Sequence, residues 1–229
     1  MASWMVHLRI ADELLNKLDG IDETAFIVGP IAPDSGVPNA DWSVFSPPKS
    51  VTHFYKRTEA GKVIDLDAFC NKYMSEEAMS GYDDRGYSFF LGYYAHLLTD
   101  EWWTQTIMKE LKKTHSKEYA GNKSKLVEKA KEDWYDLDFR YLAEHPEFHA
   151  FAVYENAVGF ENEFMDIFSR DAFDNRREYI SGFYRGDEHG ELYRPYPYLT
   201  PERADAFVYD TAEWIFYTLA EKYTGRQRL

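Results

Sequence analysis

The sequence predicts a single all-α domain spanning residues 1–229. Apolar residues recur at steps of three and four along most of the chain, the spacing of core-facing helix sides. No period-2 run is long enough to support a sheet, and no internal repeat or Gly/Ser linker divides the chain. A composition of 45% hydrophobic and 17% aromatic residues over 229 positions supplies one ample core, densely packed by Tyr and Phe.

The first helix covers residues 3–18. His7, Ile10, Ala11, Leu14, Leu15 and Leu18 share one face, so His7 points toward the core, and Asp19-Gly20 closes the helix. Residues 29–55 read as a long irregular stretch carrying Pro33-Asp34-Ser35-Gly36, Ser46-Pro47-Pro48 and Thr52-His53-Phe54-Tyr55. A loop longer than about 15 residues inside a compact domain is usually functional or disordered. The apolar residues in and before it (Phe26, Ile27, Val28, Ile31, Trp42, Phe45) argue that this one packs.

Helical patterns then continue nearly throughout. A short amphipathic helix covers 65–79 and a long one 84–113, while a Lys-rich 122–131 segment leads into 134–143. Pro146 suits the first turn of a helix over 146–168, and another follows over 171–184. The Tyr- and Pro-rich loop 193–198 interrupts, and Thr200-Pro201 starts a last helix reaching residue 223.

Charge and cysteine usage narrow the function. A net charge of −14 opposes nonspecific binding to duplex nucleic acid or an anionic membrane, although a bound metal can still attract a phosphate locally. The single cysteine, Cys70, rules out an intramolecular disulfide framework and a thiolate metal site. The first residues lack a basic n-region and an unbroken apolar h-region, and no stretch approaches the roughly 18 apolar residues of a membrane span. The expectation is a cytoplasmic protein with no leader.

The residues that suggest chemistry lie in Gly92-Tyr93-Tyr94-Ala95-His96-Leu97-Leu98-Thr99-Asp100, inside the long helix. His96 and Asp100 are four apart and so share a face, on a stripe reading Phe89, Tyr93, His96, Asp100, Trp103, Ile107. A carboxylate on such a face is expensive to bury unpaired. With an imidazole on the same stripe, a metal ion becomes the natural partner. His7, Asp34 and His53 complete the candidate set, and imidazoles with carboxylates suit zinc or, less selectively, iron, nickel or manganese. Each position also has a plain structural use. A core histidine bonds a backbone carbonyl, an aspartate after proline forms a turn, and His-x-x-x-Asp pairs within one helix.

Four segments, in order, resemble the bacterial zinc-dependent phospholipase C family, whose helical fold is shared with the single-strand-specific zinc nucleases. They are Val6-His7-Leu8-Arg9-Ile10-Ala11, Phe26-Ile27-Val28-Gly29-Pro30-Ile31-Ala32-Pro33-Asp34, Thr52-His53-Phe54-Tyr55 and Phe90-Leu91-Gly92-Tyr93-Tyr94-Ala95-His96-Leu97-Leu98-Thr99-Asp100. Together they cover roughly the first 105 residues. The resemblance implies one zinc site formed by Asp34, His53, His96 and Asp100, with Asp100 bridging to a second ion that His7 also binds. The chain departs from the family pattern in three places. Trp4 is internal where secreted members use a mature N-terminal tryptophan, Thr106 stands where a histidine is expected, and no His-x-x-x-Glu follows Asp100. One or two zinc ions are therefore expected, not three.

The implied function is metal-dependent hydrolysis of a phosphoric ester, from a small molecule or a phospholipid, with Asp34 orienting or deprotonating the attacking water. The alternative is a degenerate member that binds metal or ligand without turnover. A helical phosphohydrolase that needs adjacent His-Asp is disfavoured, because the chain has no such pair. Asp133, Asp136 and Asp138 can supply a further oxygen ligand, but read more simply as acidic residues at a solvated helix start. Surface positions are expected for His115 and His189, and the proline in His145-Pro146-Glu147-Phe148-His149 interrupts that pair. Trp102, Trp103 and loop 193–198 read as packing first and as pocket walls second.

Overall fold

A computed structural model of the chain describes residues 1–223 apart from Trp42 and Ala60. Trp42, counted above among the apolar residues of the long loop, therefore lies outside the described residues. The architecture is all-α, with two small two-stranded sheets among the described residues. No described helix is long and apolar enough to cross a membrane.

Helix α1 (Trp4–Leu15) begins at Ser3, whose hydroxyl accepts the Val6 amide at 3.4 Å. It buries Met5, His7, Leu8, Ile10, Ala11 and Leu14 and ends three residues before the predicted limit. A helix absent from the sequence reading follows, α2 (Glu23–Val28), capped by the Asp22 carboxylate, which accepts the Ala25 amide at 2.8 Å. Six residues are too few for a helical period to stand out.

The 29–55 segment is ordered and packed. It contains a 3₁₀ turn at Ala32–Asp34, a two-residue ribbon of β1 (Val37–Pro38) with β2 (Phe45–Ser46), and the single-turn α3 (Lys49–Thr52). The hairpin of β3 (Tyr55–Thr58) and β4 (Gly61–Ile64) comes next, with Tyr55 opposite Ile64. Its residues are mostly exposed, so no inside–outside alternation betrays it in the sequence.

Several predicted helices are broken by local hydrogen bonding. The 65–79 helix is α4 (Leu66–Tyr73) and α5 (Glu76–Ser80), because Ser75 caps α5 by accepting the Ala78 amide. The 84–113 helix is α6 (Asp84–Gln105) and α7 (Ile107–Thr114). Between them the Thr106 hydroxyl donates to the Trp102 carbonyl at 2.7 Å, and its backbone leaves helical geometry. The Lys-rich 122–131 segment and the 134–143 helix belong to one element, α8 (Ser116–Glu144), which is interrupted at Asn122. The 146–168 helix shrinks to α9 (His149–Asn156). Asn162 knits the following loop, accepting from Phe164 and Met165 amides and donating to the Met165 and Phe168 carbonyls. Finally α10 (Ala172–Arg185) and α11 (Pro201–Tyr223) stand as predicted.

The core is built around α6, buried on every side from Gly86 to Asp100 and flanked by α1, α2, α4 and α11. The closest approach is to α2. A Cβ on Gly92 would lie 2.3 Å from the Phe26 carbonyl oxygen, and one on Gly29 would lie 2.5 Å from that of Phe89. Two facing glycines let the backbones touch, which lays the chain that leaves α2 directly over His96.

Candidate metal centre

Four elements converge on one buried point. His7 reaches it from α1, Asp34 from the 3₁₀ turn, His53 from the end of α3, and His96 and Asp100 from α6. All five are at most 5% exposed. The sequence reading named the same five positions, and the fold brings them together.

The atoms that meet are ligand atoms. His7 Nε2 lies 3.6 Å from Asp100 Oδ1, and His96 Nε2 lies 3.6 Å from Asp100 Oδ2. His53 Nε2 is 3.6 Å from Asp34 Oδ1 and 3.8 Å from Asp100 Oδ2. These distances are too long for hydrogen bonds. They approach the roughly 3.4 Å that separates two ligands of a tetrahedral ion with bonds of about 2.0–2.1 Å. The groups His7, His96, Asp100 and Asp34, His53, His96 can each hold a metal ion. The His7 and His96 rings stack with centroids 3.9 Å apart.

Neighbouring groups set the tautomers. A carbonyl oxygen can only accept, so the 2.6 Å contact between His96 Nδ1 and the Pro30 carbonyl puts the proton on Nδ1 and leaves the Nε2 lone pair facing Asp100. His53 Nδ1 lies 2.9 Å from the Thr52 hydroxyl, which likewise leaves Nε2 to the cluster. Tyr93 donates its hydroxyl to the Thr52 carbonyl and so anchors the end of α3 on α6.

The protonation states suit a cation. Burial, helped by His96, brings His7 down to about 4. Burial brings His53 down to about 3, against the opposing pull of Asp34. Both imidazoles are therefore neutral at pH 7. Burial opposes ionisation of the two carboxylates, yet both stay ionised well below the usual carboxylate range. The Lys49 ammonium does this foremost for Asp34, and the Met1 ammonium foremost for Asp100.

His7 Nδ1 and Nε2, His53 Nε2, His96 Nε2 and Asp100 Oδ2 are buried with no hydrogen-bond partner. Leaving such groups unsatisfied costs about 1–3 kcal/mol each. Four of them, the three Nε2 atoms and Asp100 Oδ2, meet in one cluster and fit a divalent cation bound by nitrogen and oxygen.

Three neighbours were not anticipated. The Trp4 indole donates to Asp34 Oδ2 at 3.0 Å, and the Lys49 ammonium donates to Asp34 Oδ1 at 2.8 Å. Arg176, from α10, donates to the Gly36 carbonyl at 2.7 Å. The spacing from Lys49 to His53, one helical turn, is the signal that could have found the lysine. The other two come from distant sequence. Together with Asp34 they line a cleft of about 910 Å³ whose aromatic wall includes Phe45, Tyr135 and Tyr179. Asp34 is the member of the cluster that lines this cleft, so the cleft leads to the cluster through it.

The three α8 aspartates stand outside the cluster, although Asp136 lines the same cleft, and the solvated-helix-start reading of them is corrected. They are buried in the middle of α8. Asp133 and Asp136 accept from the Arg194 guanidinium, each at 2.7 Å. Asp138 accepts from the hydroxyls of Ser3 and Tyr184. None of them belongs to the two His/Asp groups. His145, His149 and His189 are exposed. Half-buried His115 faces Glu118 and the Tyr198 ring. Trp103 packs edge-on against Trp134 and Phe207, and Trp102 stacks on Trp214. From loop 193–198, Arg194 lines the cleft. No family model, curated protein or solved structure matches the chain.

Proposed function

We propose that this protein is a metal-dependent phosphoric ester hydrolase of the zinc-dependent phospholipase C type. One observation carries the reading: four buried residues with unpartnered ligand atoms, His7, His53, His96 and Asp100, meet Asp34 at the edge of a cleft large enough for a small organic ester. His53, His96, Asp34 and Asp100 would hold one zinc ion, and His7 with Asp100 a second. Bound zinc supplies a Lewis acid for the phosphoryl oxygens and lowers the pKa of water toward about 7.

The chain's own residues divide the remaining work. Asp34 faces the cleft, and its carboxylate, held far below neutrality, is an acceptor that orients a water and not a strong base. Lys49 and Arg176 add positive charge beside it in an otherwise acidic protein, which attracts a phosphoryl group locally. The aromatic wall offers an apolar surface to the alcohol side of the ester. The −14 net charge favours small or zwitterionic esters over polyanions.

The test is elemental analysis of protein purified without added metal, followed by turnover. The panel comprises phosphodiesters, phosphomonoesters, choline phospholipids and single-stranded oligonucleotides, with zinc, manganese or nickel. Metal-dependent hydrolysis of any of these supports the reading. A fully metallated protein that turns over none is instead a binding protein. That second reading is favoured by the cluster's composition, since no glutamate and no fourth histidine joins it among the described residues.

A further inference from the structure

The contact between Lys49 and Asp34 is placed where a cation would be. Of the two Asp34 oxygens, Oδ2 is taken by the Trp4 indole, and Oδ1 is the one that faces His53 Nε2. Lys49 sits on that same Oδ1 at 2.8 Å. The arrangement follows from local sequence. Lys49 opens the single turn of α3 and His53 closes it, with the His53 amide donating to the Lys49 carbonyl at 3.0 Å. One helical turn thus delivers a lysine and an imidazole to one carboxylate oxygen. The lysine is also one-third exposed, lines the cleft, and stands with its ammonium 5.2 Å from the centre of the Phe45 ring.

A divalent ion bound to Asp34 Oδ1 and His53 Nε2 would stand about 2 Å from the oxygen that the ammonium holds. Two positive groups on one carboxylate oxygen repel strongly in a water-poor site. The ammonium has somewhere to go, because its flexible four-carbon stem opens on the cleft and the Phe45 face offers a cation–π resting place.

Resting on the metal-site reading above, we propose that Lys49 is the exchangeable counter-charge of Asp34. Its ammonium holds Oδ1 in the metal-free protein, yields that oxygen to a divalent cation, and then binds an anionic oxygen of the ligand in the cleft. Metal and anion binding are thereby coupled: the ion that takes Asp34 frees the lysine for the phosphoryl group. The lysine also becomes a determinant of specificity for anionic ligands.

Chelator competition with zinc, and calorimetric titration of the zinc-loaded protein with inorganic phosphate, test the proposal without any turnover. Lys49→Met keeps the stem and removes the charge; Lys49→Gln is a second variant, and thermal melts verify that both fold. Relative to wild type, Lys49→Met should bind zinc about tenfold more tightly and phosphate about tenfold more weakly, the worth of one charge-assisted contact in each direction. Lys49→Arg should restore phosphate binding. Weaker zinc binding in both charge-removing variants would show that the lysine braces Asp34 and overturn the exchange. Unchanged phosphate affinity would overturn the contact with the ligand. If wild type binds zinc and the variants match it, this inference fails alone; if wild type binds no divalent ion, the metal reading fails with it.

Discussion

Two groups of buried carboxylates sit in this molecule, and they are finished differently. On α8, Asp133 accepts from Arg194 and the Tyr198 amide, Asp136 from Arg194 and the Gly190 amide, and Asp138 from Ser3 and Tyr184. Every carboxylate oxygen there has a donor. Around α6, by contrast, Asp100 Oδ2 and the facing nitrogens of three histidines have none. Burial alone therefore does not mark a site. The α8 group straps loop 186–200 to the body and is complete in itself, whereas the α6 group is complete only with something added. Unsatisfied buried donors and acceptors of this number are rare unless a ligand or ion completes them.

The contrast breaks most visibly at His96. Removing this imidazole by His96→Ala should strip the metal and, by uncovering the buried Asp100 charge, cost about 3–5 kcal/mol in the metal-loaded protein. Elemental analysis and melts with and without chelator would measure it. Unchanged metal content and melting temperature would mean that the α6 group is as self-sufficient as the α8 group.

The two groups should also respond to pH in opposite directions. Burial pushes Asp138 up to about 7 from an ordinary value of 3.8. Its folded state therefore binds the proton more tightly than the unfolded state does, and it costs stability progressively as pH rises from about 4 to 7, on the order of 4 kcal/mol in full. His7 is held at about 4 against an ordinary 6.5. Here the unfolded state binds the proton more tightly, so stability is present above pH 6.5 and is lost as pH falls toward 4. Denaturation across pH 4–8 on chelated protein should show Asp138→Asn flattening one slope and His7→Gln the other. A wild-type curve unaffected by either variant would contradict both assignments.

Arg194→Met probes the satisfied group directly. Because Asp133 and Asp136 keep their amide donors, the cost should be smaller, about 2–3 kcal/mol, with metal content unchanged. A comparable loss arises in the scaffold of the metal centre from Gly92→Ala. Its new Cβ meets the Phe26 carbonyl at 2.3 Å, which should cost about 1–3 kcal/mol. It should also weaken metal binding by shifting Pro30 away from His96. Loss of stability without loss of metal affinity would separate the helix contact from the site.

Smallest in its effect on folding is Asp34→Asn. The isosteric amide keeps an oxygen for the Trp4 indole, and the Lys49 ammonium that loses its charged partner is one-third exposed, so stability should fall by only about 1–2 kcal/mol, while turnover and zinc affinity fall steeply. Equal losses in folding and activity would assign Asp34 to the frame instead.

Residues close in sequence explain what could be read without the fold. The all-α class, α1, α6, α10, α11 and the five clustered side chains all rest on spacing along the chain or on short local segments. His96 and Asp100 share a helix face whatever surrounds them, because 3.6 residues make a turn. Helix ends were less legible. The breaks at Ser75, Thr106 and Asn122 depend on single side chains that compete with the backbone for hydrogen bonds, and a periodic pattern runs through them unchanged. α2 and the exposed hairpin are too short to carry a period at all.

Partners far apart in the chain were decided by tertiary structure alone. Gly92 stands one turn before His96, and what requires a glycine there is the Phe26 carbonyl, 66 residues earlier, an approach that no local pattern encodes. The α8 aspartates read as solvated from their charge, and they became buried because Arg194, Ser3 and Tyr184 arrive from three other segments to satisfy them. Trp4 and Lys49 meet Asp34 for the same reason. Sequence sets which side chains can face inward, since that is geometry along one element. Which of them are left unpaired, and so open to a metal, depends on donors delivered from elsewhere, and only the assembled fold supplies or withholds those.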